Sequence, residues 1–194
     1  EVLRASDAAL DPKYDAVLIK ALLAHGARTD DVEAQILSAR PDIDEWQAQR
    51  RLVSRYAGFG VANVERAMTC TAQRATLLGV GALRNEKALE FRVPIPRALH
   101  ATVVTRRVTA TLAWMTPINP RHSRYRVARL WLDLPDGPLR GERAQGEWRQ
   151  LRQGTLHHEV FETDRSVPVQ DGTTLAVRVN CVADAGRIWE PVEF

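Results

Sequence analysis

The stretch YRVARLWLDLPDG, Tyr125–Gly137, decides how this chain folds. Ala128, Leu130, Leu132 and Leu134 fall on one side of an extended backbone, and Arg129, Trp131 and Asp133 fall on the other. Successive strand residues point to opposite faces, so this pattern predicts a half-buried β-strand. Pro135-Asp136-Gly137 then turns the chain. Working outward, Val108, Ala110, Leu112 and Trp114 alternate with Thr109, Thr111, Ala113 and Met115, and both faces of that run read as partly buried. Leu89–Ile95 is a strand closed by Pro94 and Pro96, and GTLHHEVFE at 154–162 is another. Asp171-Gly172 joins Ser166–Val169 to Leu175–Cys181, a hairpin signal. Short alternating runs separated by turn residues predict an antiparallel β-sandwich.

Before residue 70 the period is helical. Asp11-Pro12 combines an N-cap side chain with a proline suited to a first helical turn. Tyr14, Val17, Leu18, Ala21 and Leu22 make one apolar stripe, which Gly26 stops. A second helix starts at Thr29 or Asp30, with Glu33 placed to complete a capping box, carries Val32, Ile36 and Leu37, and ends at Pro41. Ile43, Trp46 and Leu52 support a third through DEWQAQRRLVSRY, ending at Gly58. The fold class is therefore α+β: N-terminal helices followed by an antiparallel, jelly-roll-like β-sandwich. The boundary falls in 71–81, dividing the chain into a helical segment 1–76 and a sandwich domain 77–194.

The chain has 194 residues and a net charge of +3, enough length to bury a real core. No apolar run approaches the roughly 20 residues of a membrane span. Eleven arginines stand against four acids between Arg97 and Arg152, while Asp30–Glu45 is acidic. A basic half of this kind could meet nucleic acid or an acidic protein surface. Alternation disperses it, because Arg126 points opposite to Arg129 and Arg106 opposite to Arg107, so a nucleic-acid partner is not favoured. Cys70 and Cys181 form no metal or redox pair and read as two buried thiols. Free thiols point to the cytoplasm, with a secreted protein as the alternative.

Candidate chemistry is sparse. His157, His158 and Glu159 lack the helical i, i+4 spacing of a zinc motif. On a strand, one histidine faces the core and the other solvent. His122, with Asn119, Arg121 and Arg124, lies in the loop TPINPRHSRYR, which could take an acidic group but reads more simply as a solvated connection. His25 and His100 read as helix-end and loop residues. Ser6, Ser38, Ser54, Ser123 and Ser166 lack a nucleophile setting. No residue is assigned as catalytic, cofactor-binding or metal-binding, and no cofactor is expected.

YAGFGVANVERAM, Tyr56–Met68, has the first two glycines of a dinucleotide fingerprint, but Asn63 stands where the third belongs and no buried strand precedes it. With LIKALLAHGA before it and strands after it, the stretch resembles the end of the catalytic domain of subtilisin-like serine proteases. Leu18, Ile19, Lys20, Ala21, Leu22 and Leu23 match that family's helix, and Tyr56, Gly58, Gly60, Asn63 and Ala67 match its closing turn. Arg106–Pro120 and Tyr125–Gly137 resemble the jelly-roll sandwich that some bacterial subtilases append, and EPVEF resembles the start of a final strand.

The resemblance implies that the glycines permit tight backbone geometry and that Asn63 caps the closing helix. It also implies an excised C-terminal piece, whose parent is a serine endopeptidase with its Asp, His and Gly-Thr-Ser segments upstream. This chain alone is then inactive. Its partners are the upstream catalytic domain and protein or peptide substrates. The alternative is an arginine-rich binding module for nucleic acid or an acidic partner.

Overall fold

The computed structural model describes residues 3–4, 11–99, 105–134, 142–143, 152–162 and 173–194. The turns at 135–137 and 171–172, the run 166–169 and His100 lie outside the described residues. Within them the architecture is α+β, with N-terminal helices followed by antiparallel sheets facing one another. Among the described residues no helix is long and apolar enough to cross a membrane.

Asp11 caps a short 3-10 turn, Pro12–Tyr14, by accepting from the Lys13 amide at 3.1 Å, and the turn runs into α1, Asp15–Gly26. Tyr14, Val17 and Ala24 are buried, with Leu18 and Ala21 packed beside them. Gly26 does end the helix, but not through a left-handed cap. A Cβ there would land on the Asn63 carbonyl oxygen and stand 2.9 Å from Ala67 Cβ, so Gly26 lets the next segments approach closely.

Helix α2, Asp30–Ser38, ends three residues before Pro41. Its expected capping box is absent: Thr29, at φ −101° and ψ −7°, is already near helical geometry, and its side chain makes no cap bond. Helix α3, Trp46–Ala57, buries Val53 but leaves Trp46 exposed, with the Arg50 guanidinium 4.2 Å from the ring centroid. The turn after it uses both glycines. Gly58 has φ +59° and Gly60 φ +97°, and a Cβ on Gly60 would strike the Arg28 carbonyl. That close approach is a two-way backbone bridge, Arg28 to Val61, at 2.9 and 2.7 Å. Asn63 then caps α4, Val64–Met68, accepting from the Arg66 amide at 2.8 Å.

The strands are β1 (Leu3–Arg4), β2 (Leu77–Leu78), β3 (Ala82–Leu83), β4 (Ala88–Pro94), β5 (Arg107–Ala113), β6 (Ala128–Asp133), β7 (Glu142–Arg143), β8 (Arg152–Gln153), β9 (Leu156–Glu162), β10 (Thr174–Ala183) and β11 (Val192–Glu193). One sheet has the order β4-β10-β6. Pro94 is tolerated because β4 is an edge strand. In the other sheet β9 is central, with β5 along its length and β7 and β8 pairing its opposite ends. Short pairs β1–β2 (parallel) and β3–β11 (antiparallel) complete the set.

Leu112, Trp114 and Phe161 from one sheet meet Leu130, Leu132, Val179 and Cys181 from the other in the inter-sheet core. Phe194 closes one end, exchanging 3.0 Å backbone bonds with Gly81 and packing edge-on to Phe91. A second cluster lies outside the sandwich, where Tyr14, Val17 and Ala24 of the helical segment cover Ala113, Leu156 and Val80. Each fully buried Val or Leu side chain in such clusters contributes about 1.5–3 kcal/mol of hydrophobic stabilisation.

Candidate functional site

β9 carries the densest polar chemistry, and it is buried on both faces. His157, Glu159 and Phe161 point between the sheets, while Leu156, His158 and Val160 point outward. The expectation that one of the two histidines meets solvent is overturned: His157 is 0% exposed and His158 4%. Alternation holds, but the outward face is covered by α1.

On the inner side, His157 Nδ1 accepts from the Leu132 backbone N–H at 2.8 Å, and its Nε2 lies 2.8 Å from Glu159 Oε1. A backbone amide can only donate, so the tautomer is fixed with the proton on Nε2, facing the carboxylate. Leu132 lies on β6, the edge strand of the opposite sheet, so this ring satisfies an edge amide that the ladder leaves over.

On the outer side, His25 in the last turn of α1 and His158 on β9 share one hydroxyl. His25 Nδ1 lies 3.0 Å and His158 Nδ1 2.8 Å from Thr111 Oγ1. A hydroxyl has one proton, so Thr111 donates to at most one of the two rings and accepts from at least one. Thr111 sits directly opposite His158 in the β5–β9 register, and Phe59 packs edge-on to the His158 ring at 5.3 Å.

Burial pushes His25 down to about 4, with the Arg74, Arg66 and Arg107 guanidiniums adding to the shift. Burial also takes His158 down to about 3, reinforced by His25, Arg107, His157 and Arg66. Both rings are neutral at pH 7. A hydroxyl between two imidazoles resembles an activated nucleophile on paper. Here Phe59 lies against His158 and also lines the neighbouring groove, so the network is packed beneath the groove wall, where its hydrogen bonds tie helix to sheet.

That groove, about 410 Å³, runs along the opposite side of α1 and is lined by Ile19, Leu23, Ala27, Phe59 and Ala62, with the Lys20 stem. It is apolar: Ile19 is 58% and Leu23 42% exposed. A second groove, about 380 Å³, is polar and lies between Arg28, Arg66 and Arg74.

The remaining sequence candidates fall elsewhere. His122 Nδ1 accepts from the Arg124 amide within its own loop, and Asn119 Nδ2 bonds the Ala185 carbonyl at 3.0 Å. Arg124 and Arg126 both reach Asp184, so this connection is pinned to the end of β10 rather than freely solvated. Cys181 is buried, which pushes its thiol up to about 11. Cys70 is only half-buried, a departure from the expected pair of buried thiols, and its sulfur accepts from the Thr76 amide at 3.4 Å. Among the described residues no three His, Cys, Asp or Glu side chains are grouped as metal ligands.

Sequence reasoning placed His25 at the helix end, as found, but gave neither it nor Thr111 a partner. The signal was present in the spacing: His25 follows Leu18 and Ala21 on the stripe that faces the sheet, and Thr111 lies on the outward face of β5 with Ala113. Comparison with family models, with curated proteins and with solved structures finds no match for this chain.

Proposed function

We propose that this chain is the noncatalytic C-terminal region of a bacterial subtilisin-like serine endopeptidase. Its helices complete the packing of an upstream catalytic domain, and its sandwich stabilises the protease or engages protein substrates and partners. The observation that supports this is α1, DAVLIKALLAHG, which is apolar nearly all the way round. A helix on the surface of a self-contained domain keeps one polar face, whereas one that is apolar all round is buried on every side. α1 buries Val17 and Ala24 against β5 and β9, yet leaves Ile19 and Leu23 uncovered beside Phe59. The uncovered face is where the body of the catalytic domain packs.

The residues that carry the family resemblance have structural roles consistent with that reading. Gly60 admits the Arg28 carbonyl and Asn63 caps α4. The serine nucleophile, the histidine that takes its proton and the aspartate that orients the histidine belong to the upstream domain.

The alternative reading, a basic binding module, is less favoured, because several described arginines of the sandwich already have partners. Arg107 pairs with Glu162, Arg124 and Arg126 pair with Asp184, and Arg129 stacks on Trp131.

A fluorophosphonate serine-hydrolase probe tests the proposal: it labels the longer protein that includes the upstream sequence and leaves this chain unlabelled. Ile19→Asp lowers the melting temperature of the longer protein and leaves that of this chain nearly unchanged. Labelling of this chain, or an upstream sequence without a Gly-Thr-Ser-x-Ala segment, overturns the proposal.

A further inference from the structure

Three guanidiniums from separate segments meet at the polar groove. Arg28 comes from the turn between α1 and α2, Arg66 from the middle of α4, and Arg74 from the turn that follows. Asn63, Glu65 and Thr69 complete the lining. Arg74 is held in place by a hydrogen bond from its Nη2 to the Arg66 carbonyl. Arg28 pairs with Asp30 at 2.9 Å, but both side chains are about half exposed, which leaves that pair weak. Among the described residues neither Arg66 nor Arg74 has a carboxylate at ion-pair distance.

Like-charge crowding is evident at Arg66, whose pKa is lowered by burial first and then by Arg107, Arg28 and Arg74, with Asp30 opposing. Nearby Arg107 is already committed to Glu162 at 3.3 Å. Asn63 uses its Oδ1 to cap α4, which leaves the Nδ2 donor on the same groove. Three cations thus stand against Glu65 in the lining and Asp30 beside Arg28, an excess of positive charge that suits an anion. Guanidinium forks fit the paired oxygens of a phosphoryl group and form charge-assisted bonds with them.

We infer that the groove between Arg28, Arg66 and Arg74 is a binding site for a phosphoryl group, either free phosphate or the terminus of a phosphate ester. The site shares no lining residue with the apolar groove along α1.

Calorimetric titration of the full chain with inorganic phosphate and with phenyl phosphate, against chloride at matched ionic strength, tests it. Saturable binding of either phosphate supports the site, and the preferred one identifies the source. Arg66→Gln and Arg28→Gln each weaken binding by about tenfold or more, the scale of one lost charge-assisted bond. Glu65→Gln moves the affinity the other way, because it removes the one opposing carboxylate in the lining. Arg28→Gln keeps the result readable if Arg66→Gln fails to fold, since the Arg28 bridge to Val61 is made by backbone atoms alone. A phosphate response no larger than that of chloride, or unchanged affinity in Arg28→Gln, overturns the inference.

Discussion

The two sheets of the sandwich are built from similar alternating strands but differ on their outer faces. β6 follows its sequence pattern closely, with Ala128, Leu130 and Leu132 buried and Arg129 and Asp133 exposed. β9 is buried at six consecutive positions, Leu156 to Phe161. The cause lies outside either strand: α1 lies over the outer face of β5 and β9 and not over that of β6 and β10. The comparison teaches that a residue's environment depends on which third layer covers its face as well as on strand parity. A helix over one sheet creates a second buried surface, and polar groups caught there must bond one another. His25, Thr111 and His158 do so.

The most direct way to break this comparison is to add a charge on the covered outer face and remove one from the uncovered face. Ala113→Asp places a carboxylate beneath α1, among Tyr14, Val17 and Ala24, and is expected to cost about 4 kcal/mol or more, the scale of an uncompensated buried charge. Arg129→Ala on the uncovered sheet is expected to change stability by less than about 0.5 kcal/mol. Urea denaturation of the two variants measures the contrast, and similar losses would mean that α1 does not cover the sheet.

Acid titration sharpens the same point. His25 and His158 have folded pKa values of about 4 and about 3, below the ordinary 6.5. Below pH 6.5 the unfolded chain therefore binds more protons than the folded one. The stability these rings carry is fully present above pH 6.5 and is lost as pH falls through about 4 and then about 3. The loss is on the order of 3 to 5 kcal/mol per ring. His158→Gln should flatten the slope between pH 6 and 4 in a plot of unfolding free energy against pH. An unchanged slope would place the protonating group elsewhere.

The glycine turn that fastens α4 beside α1 gives a smaller effect. Gly60→Ala strains the backbone and collides with the Arg28 carbonyl, so a loss of about 3 kcal/mol is expected. Gly58→Ala also sits at positive φ but meets nothing within 4 Å, so about 1–2 kcal/mol is expected. Melting curves of the pair check the order, and equal losses would refute the close approach at Gly60.

Much of this fold was legible in residues that act on near neighbours. Asp11 and Asn63 were readable as caps because a cap is a contact two or three positions along the chain. The alternation from Ala128 to Leu134 was readable because strand parity is local. Thr29 misled because its backbone is already near-helical, which sequence spacing alone does not reveal. Trp46 was placed on the right helix, but its exposure depends on what α3 packs against. One of His157 and His158 was expected at solvent because nothing in GTLHHEVFE indicates that α1, far away in sequence, lies above the outward face of β9. The three arginines of the polar groove escaped notice for the same reason: positions 28, 66 and 74 share no period and meet only after α1, α4 and the following turn have packed.

The sequence by itself determined that α1, α2 and α3 precede the long strands β4, β5, β6, β9 and β10, the inward face of β6 and the need for glycine in the turn after α3. These follow from backbone sterics and short-period patterning, both set within a few residues. Only the tertiary structure decided that Gly26 serves the approach of α4 to α1, that both histidines of β9 are buried, and that His25 and His158 share the Thr111 hydroxyl. Each of these depends on two segments brought together by packing, and the desolvation that sets their chemistry exists only once a second layer has excluded water.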